Sequence, residues 1–102
     1  MMSHSKPIRY LDVARQEYEA EIDYLITNDL DERALRFKAE IDKAEKDIRK
    51  KPDGYGFIEG YRSYGPTKKE KYRVNYIETN DEIIIVAVYY TGLGDPYYWI
   101  GR

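Results

Sequence analysis

Five basic and five aromatic side chains in the second half of this chain are the residues best suited to do chemistry. The basic residues are Arg62, Lys68, Lys69, Lys71 and Arg73, and the aromatic residues are Tyr89, Tyr90, Tyr97, Tyr98 and Trp99. Such a set can bind a phosphate backbone and stack on bases. It can also cleave RNA, if arginines stabilise charge on the scissile phosphate while a Tyr or Lys transfers the proton. Alternatively, the lysines and arginines only keep an exposed sheet face and its edge soluble.

The sequence excludes most other kinds of catalytic or cofactor site. There is no cysteine, and the single histidine, His4, lies in a polar N-terminal segment, so no Cys/His metal cluster or Ser-His-Asp triad is available. No phosphate-binding G-x-x-x-x-G-K-[ST] loop is present. Gly92 and Gly94 are followed by Asp-Pro rather than by a helix, which is typical of a loop. We therefore expect no metal and no cofactor.

A predicted β-hairpin, Tyr72 to Tyr90, positions most of the basic and aromatic residues. Residues 72–77 alternate in the period of a strand with two different faces, and 79–82 supply turn residues. The run 83–88, Ile-Ile-Ile-Val-Ala-Val, has no polar break. We expect it to form a strand buried on both faces at the centre of a sheet. Whether Arg62 and Arg73 share a face depends on strand register, which the sequence does not determine.

A first amphipathic helix is predicted from Val13 to about Thr27. Asp12 is a suitable N-cap, and Asn28 is a suitable left-handed residue at the C-terminal end. The apolar stripe consists of Ala14, Tyr18, Ile22, Leu25 and Ile26, and the acidic residues expected to form the solvated faces are Glu17, Glu19, Glu21 and Asp23.

A second helix follows almost at once. Asp29 and Glu32 resemble a capping box, and Pro52 ends the helix. Its apolar stripe is Ala34, Phe37, Ile41, Ala44 and Ile48. The short linker between the helices predicts an antiparallel helical hairpin that packs on the sheet.

The order of predicted elements is β-α-α-β-β-β, with a short first strand at 6–11 and a strand from Phe57 to Tyr64. We expect the α+β class, with the helical hairpin packed on a mostly antiparallel four-stranded sheet. The chain is predicted to be a single domain, 1–102, in which 1–5 form a flexible N-terminus and 91–102 form a C-terminal loop and tail.

Composition limits the partners that the protein can bind. The chain of 102 residues has 17 basic and 19 acidic residues, a formal net charge of −2 and a pI near 5.5. This balance argues against a surface built wholly for nucleic acid, although it permits a local basic patch. Twelve tyrosines suit half-exposed binding faces, or they simply decorate a small sheet. With no signal peptide or membrane-length apolar run, we expect a cytoplasmic protein without membrane contact.

The order of several motifs resembles the RelE/ParE superfamily of toxins from type II toxin–antitoxin modules. The motifs in the helices are Ala14-x-x-x-Tyr18, Ile22-Asp23-Tyr24-Leu25, Phe37-x-x-x-Ile41-Asp42-x-Ala44 and Ile48-Arg49-x-x-Pro52. Those in the second half are Gly60-Tyr61-Arg62, Tyr72-Arg73-Val74-x-Tyr76, Ala87-Val88-Tyr89-Tyr90 and Asp95-Pro96-x-Tyr98-Trp99-x-x-Arg102. Together they cover nearly the whole chain, and the C-terminal motif is the most specific of them.

The resemblance implies a growth-inhibiting toxin of the kind linked to plasmid stabilisation, held inactive in an oligomer with a cognate antitoxin that wraps the helical hairpin and sheet. RelE-like members are ribosome-dependent mRNA endonucleases, and ParE-like members poison DNA gyrase. In the RelE-like case the implied catalytic residues are Arg62, Arg73, Tyr90 and Tyr98.

Three departures from the RelE-like pattern favour a ParE-like toxin that is not an enzyme. The net charge is negative, the loop before Asp95 lacks the His and Arg-Arg of many relatives, and Tyr90 stands where a histidine is common. The alternatives are a RelE-like endoribonuclease acting on ribosome-bound mRNA and a non-toxic binding module of the same fold.

The residues predicted to bind the target or partner lie in the connector and the C-terminal tail. They are Lys68, Lys69, Lys71, Tyr97, Tyr98, Trp99 and Arg102. Trp and Tyr often anchor interfaces. We expect Trp99 to be partly packed on the sheet and Arg102 to be free.

Overall fold

The computed structural model describes residues 6–92 and 97–102. The predicted flexible N-terminus, 1–5, and residues 93–96 of the predicted C-terminal loop lie outside the described part. The elements in chain order are β1 (Ile8–Tyr10), α1 (Asp12–Thr27), α2 (Asp31–Lys50), β2 (Gly56–Ile58), β3 (Tyr61–Tyr64), β4 (Tyr72–Glu78) and β5 (Ile83–Tyr90).

The strands form one sheet in the order β1-β5-β4-β3-β2. β1 pairs with β5 in parallel, and the other pairs are antiparallel. Both helices pack on the same face of the sheet, in one core cluster with β4 and β5. This architecture confirms the predicted α+β class. No helix among the described residues is long and apolar enough to cross a bilayer.

The sheet has five strands because the predicted strand 57–64 is a hairpin. β2 and β3 pair in antiparallel register with Ile58 opposite Tyr61, which leaves only Glu59 and Gly60 in the turn. Both residues have positive φ, 52° and 87° respectively. Two successive positive φ values match the right-handed twist of the flanking strands, and glycine adopts this conformation without steric cost. The prediction of a single strand here was therefore wrong.

β5 is buried on both faces, as its uninterrupted apolar sequence predicted. Ile83, Ile85 and Val88 belong to the core under the helices. Val86 and Ala87 are adjacent, yet both belong to the cluster on the opposite face. A β-bulge explains this arrangement, because the register shifts between Asn75–Ala87 and Tyr76–Ile85 and leaves one extra residue on β5.

The apolar stripe of α2 is confirmed, since all five predicted residues are buried. The predicted stripe of α1 is only partly confirmed, because Ala14 and Leu25 are buried but Ile26 is 52% exposed. Ile26 follows Leu25 by about 100° around the helix, and this rotation turns its side chain away from the sheet.

Neither helix begins with the side-chain cap that was predicted. The N-cap positions are Leu11 and Leu30, and neither makes a side-chain capping bond. Asp12 is instead the first residue of α1, which starts where the Leu11 N–H donates to the Ile85 carbonyl at 2.9 Å. The sheet therefore positions the start of α1.

The predicted capping residue Asp29 closes α1 instead of opening α2. Its φ is 58°, whereas Asn28, the predicted left-handed residue, has φ −97°. The Leu30 N–H donates to the Leu25 carbonyl at 2.8 Å, and the Asp29 N–H donates to the Ile26 carbonyl at 3.0 Å. This is the Schellman pattern, with aspartate in the position that glycine usually takes.

Candidate functional site

The C-terminal segment 97–102 covers the sheet face opposite the helices. Trp99 is completely buried, in a cluster with Tyr61, Val86, Ala87 and Tyr89. The rings of Trp99 and Tyr61 meet edge to face at 5.1 Å. The prediction of a partly packed Trp99 was therefore wrong. The bulge places two small apolar side chains side by side on a face that no helix covers, and the largest apolar side chain of the segment packs there.

Arg102 is held by Glu17 of α1, so the prediction that it is free was also wrong. Its Nη1 lies 3.1 Å from Glu17 Oε2 and donates to the Val86 carbonyl at 3.1 Å. The Tyr98 hydroxyl donates to the same Glu17 oxygen at 2.6 Å, and the guanidinium lies 4.9 Å from the Tyr98 ring centroid. The Val88 N–H donates to Glu17 Oε1 at 3.1 Å.

This group, hereafter the Glu17 cluster (Glu17, Tyr98 and Arg102), satisfies backbone groups at the edge of β5. β1 pairs with β5 only along Ile83–Ile85. Beyond that point the Val86 carbonyl and the Val88 N–H would otherwise need a strand as a partner. Arg102 supplies the donor and Glu17 the acceptor, so two side chains replace one residue of a neighbouring strand.

Sequence reasoning missed Glu17, which was predicted to lie on a solvated acidic face. A signal for its position was present, because Glu17 follows the buried Ala14 by three residues and therefore lies on the same side of α1. Glu21 follows Ala14 by seven residues, and its carboxylate accepts a hydrogen bond from the hydroxyl of the buried Tyr72. Both carboxylates thus face the sheet and accept hydrogen bonds from it.

The four predicted catalytic residues do not converge. In the antiparallel register Arg62 lies opposite Tyr76, and Arg73 lies opposite Tyr89. Tyr76 belongs to the core under the helices, whereas Tyr89 belongs to the Trp99 cluster. Because directly opposed residues share a face, the two arginines lie on opposite faces of the sheet. Tyr90 lies opposite Tyr72 on the helix side and is 44% exposed.

Both arginines bond to nearby parts of the chain. Arg62 Nη1 donates to the Tyr55 carbonyl at 3.1 Å, and its guanidinium lies 4.7 Å from the Phe57 ring centroid. Arg73 Nη1 donates to Ser63 Oγ and to the Gly65 carbonyl, both at 3.2 Å.

The fourth candidate, Tyr98, is a poor proton acceptor. Burial, followed by its hydrogen bond to Glu17, raises the pKa of its hydroxyl above the ordinary value of tyrosine. The hydroxyl therefore stays protonated and acts as a donor to Glu17. The contacts described for Arg62, Arg73 and Tyr98 are with other parts of the chain itself.

The predicted binding lysines lie on the connector 65–71, which joins β3 to β4, and all three are exposed. Glu70 anchors this connector to α2 by accepting from Arg33 Nε at 3.0 Å and Arg36 Nε at 2.8 Å. Burial raises the pKa of Glu70, but the hydrogen bonds from Arg36 and Arg33 outweigh it and hold the pKa below its ordinary value. Glu70 therefore remains charged at neutral pH and keeps the connector in place.

Large apolar side chains remain exposed on four parts of the described molecule. They are Tyr24, Ile26 and Leu35 on the helical hairpin, Phe57 and Ile58 on β2, Tyr90 at the end of β5, and Tyr97 and Ile100 on the C-terminal segment. Among residues 6–92 and 97–102, no group of three or more His, Cys, Asp or Glu side chains is arranged to hold a metal ion. The described surface therefore offers apolar and basic groups for contact with another molecule.

Comparison with solved structures identifies the fold. A chain in the structure described as the chromosomal ParDE TA system from P. aeruginosa has a TM-score of 0.69 and 19% sequence identity to this chain. The likeness covers 84% of this chain and 96% of the other. The two chains share one fold. The ParDE neighbour thus confirms the fold that the RelE/ParE resemblance implied. No protein-family model matches the sequence, and no curated protein matches it significantly.

Proposed function

We propose that the protein is the toxin of a type II toxin–antitoxin module. It acts in the cytoplasm, inhibits growth through DNA gyrase, and is neutralised in an oligomer with a cognate antitoxin. Its natural role is stabilisation of the replicon that carries the module. The observation that carries the proposal is the fold likeness to a chain of a ParDE system along 84% of the sequence.

The exposed apolar residues support a protein partner. Tyr24 is 59% exposed and Leu35 is 67% exposed on the helical hairpin, where the family resemblance places the antitoxin. Aromatic and aliphatic side chains at such positions suit an amphipathic helix or an extended segment. We propose that Tyr97, Lys68, Lys69 and Lys71 contact partners. Tyr98, Trp99 and Arg102 contribute indirectly, because they hold the C-terminal segment on the sheet.

The separation of Arg62 and Arg73 supports gyrase over mRNA as the target. An RNA-cleaving centre needs its cations aimed at one phosphate, because preorganised charges act on a single transition state. Here the register directs the two arginines to opposite faces. Inhibition of a protein target requires only a binding surface.

Expression in bacteria tests the toxin assignment. We expect the full chain, produced alone, to arrest growth, and we expect co-expression of an adjacent small reading frame to restore growth and yield a complex that copurifies. Leu35→Asp is expected to weaken copurification, because it places a charge on the proposed antitoxin surface. The matched control Ile58→Asp makes the same apolar-to-acid change at an exposed position of β2, away from the helical hairpin. Normal growth at a high level of folded protein would contradict the proposal.

A further inference from the structure

A cavity of about 540 Å³ lies between the second half of α2 and the connector 65–71. Its volume falls within the range of about 300–1,000 Å³ that is usual for ligand sites. Tyr55, Tyr64 and Pro66 provide apolar walls. The rings of Tyr55 and Tyr64 meet edge to face, 4.9 Å apart at an angle of 62°. They form a corner into which one apolar or aromatic group can fit.

The walls of this cavity are fixed by hydrogen bonds. The Glu40 carboxylate accepts from the backbone N–H groups of Lys69 and Glu70 at 3.1 and 3.2 Å. The Thr67 N–H donates to the Tyr72 carbonyl at 2.9 Å, and the Tyr72 N–H donates to Thr67 Oγ1 at 3.0 Å. Because the loop is bonded at both ends, the cavity is formed before any ligand binds, which lowers the entropic cost of binding.

Gly65 is needed where the connector leaves β3. Its φ is 118°, and a Cβ at this position would lie 2.7 Å from the Tyr72 carbonyl oxygen. The backbone thus turns here in a way that side chains rarely permit, and this turn brings Pro66 and the following lysines to the edge of the cavity.

The edge of the cavity is positively charged. Lys68 and Lys69 line it, and no carboxylate of the described residues forms an ion pair with either ammonium group. Lys43 also lines the cavity, but it pairs with Asp47 at 2.8 Å. The Glu40 carboxylate keeps its negative charge, but both of its oxygens accept from the connector backbone. The lining cations without a carboxylate partner are therefore those of Lys68 and Lys69.

We propose that this cavity binds an acidic segment of the antitoxin, which inserts an aromatic side chain into the Tyr55–Tyr64 corner. Carboxylates flanking that side chain pair with Lys68 and Lys69. The inference deepens the proposed function, because the partner it describes is the proposed antitoxin. A nucleotide fits less well, since the two rings offer no parallel slot for a base and no arginine lines the cavity for bidentate contact with a phosphate.

Fluorescence anisotropy with synthetic peptides tests the site on the full-length chain. The probe is labelled Asp-Glu-Phe-Glu-Asp, compared with Asp-Glu-Ala-Glu-Asp and Lys-Lys-Phe-Lys-Lys. We expect the first peptide to bind most tightly and its affinity to fall with added salt. The double variant Lys68→Glu/Lys69→Glu is expected to bind about tenfold more weakly, or worse, because like charges then face each other.

The matched control is Lys38→Glu/Lys46→Glu, which makes the same charge change at exposed positions of α2 outside the cavity. Equal loss of affinity in both double variants would overturn the proposal, as would equal binding of the Phe and Ala peptides or tighter binding of AMP. These outcomes can be distinguished from a failure of the proposed function. If the protein arrests growth but does not bind the peptide, only the proposed cavity site is wrong. If it binds the peptide but does not arrest growth, only the toxin assignment is wrong.

Discussion

The Trp99→Ala variant is expected to lose about 3–5 kcal/mol of unfolding free energy, the usual cost of removing a buried aromatic side chain. Trp99 is the largest fully buried side chain of the described residues, and it closes the cluster on the face that lacks helices. Since 1 kcal/mol shifts the melting temperature of a domain this size by about 4–8 °C, melting should fall by roughly 12 °C or more.

Ile100→Ala provides the control for this variant. Ile100 is the next residue of the same segment but is 43% exposed, so we expect the melting temperature of this variant to change little. Thermal melts of both variants, followed by circular dichroism, make the comparison. If Trp99→Ala and the parent protein had the same melting temperature, the C-terminal segment would not pack on the sheet in solution.

The Glu17→Ala variant is expected to lose about 2–3 kcal/mol, because it leaves Arg102, Tyr98 and the Val88 N–H without their shared acceptor. This expected loss of unfolding free energy is smaller than the loss for a fully buried ion pair, because the Glu17 and Arg102 side chains are 20% and 19% exposed. Urea denaturation measures the loss directly.

Glu19→Ala is the matched control, since Glu19 is an exposed glutamate on the same helix, and its change should stay within about 0.5 kcal/mol. Combining Glu17→Ala with Arg102→Ala should cost less than the sum of the single changes, because each alone breaks the same interaction. Additive losses would contradict a coupled Glu17 cluster.

The elements that rest on local periodicity could be predicted from the sequence. The stripe of α2 from Ala34 to Ile48 was recognisable because its residues recur every three or four positions. β5 was recognisable because six apolar residues follow one another. The turn at Glu59–Gly60 was harder to recognise, since the aromatic residues on either side favour a single strand.

The arrangement of the candidate site could not be predicted, because it depends on contacts between distant parts of the chain. The separation of Arg62 from Arg73 follows from strand register, and the burial of Trp99 follows from a bulge on β5. Glu17 bonds the Val88 N–H across 71 residues of sequence. Local patterns identify such residues as charged or aromatic, but they do not identify their partners.

A supercoiling assay with purified DNA gyrase tests whether gyrase is the target of this protein. We expect the full-length protein to inhibit supercoiling of a relaxed plasmid, and we expect Arg62→Ala and Arg73→Ala to inhibit as strongly as the parent wherever they remain folded. A parallel reaction with translating ribosomes should show no cleavage of the message. The opposite result is normal supercoiling by gyrase, together with discrete cuts in translated mRNA that disappear in Arg62→Ala. It would contradict gyrase inhibition and identify the protein as an endoribonuclease.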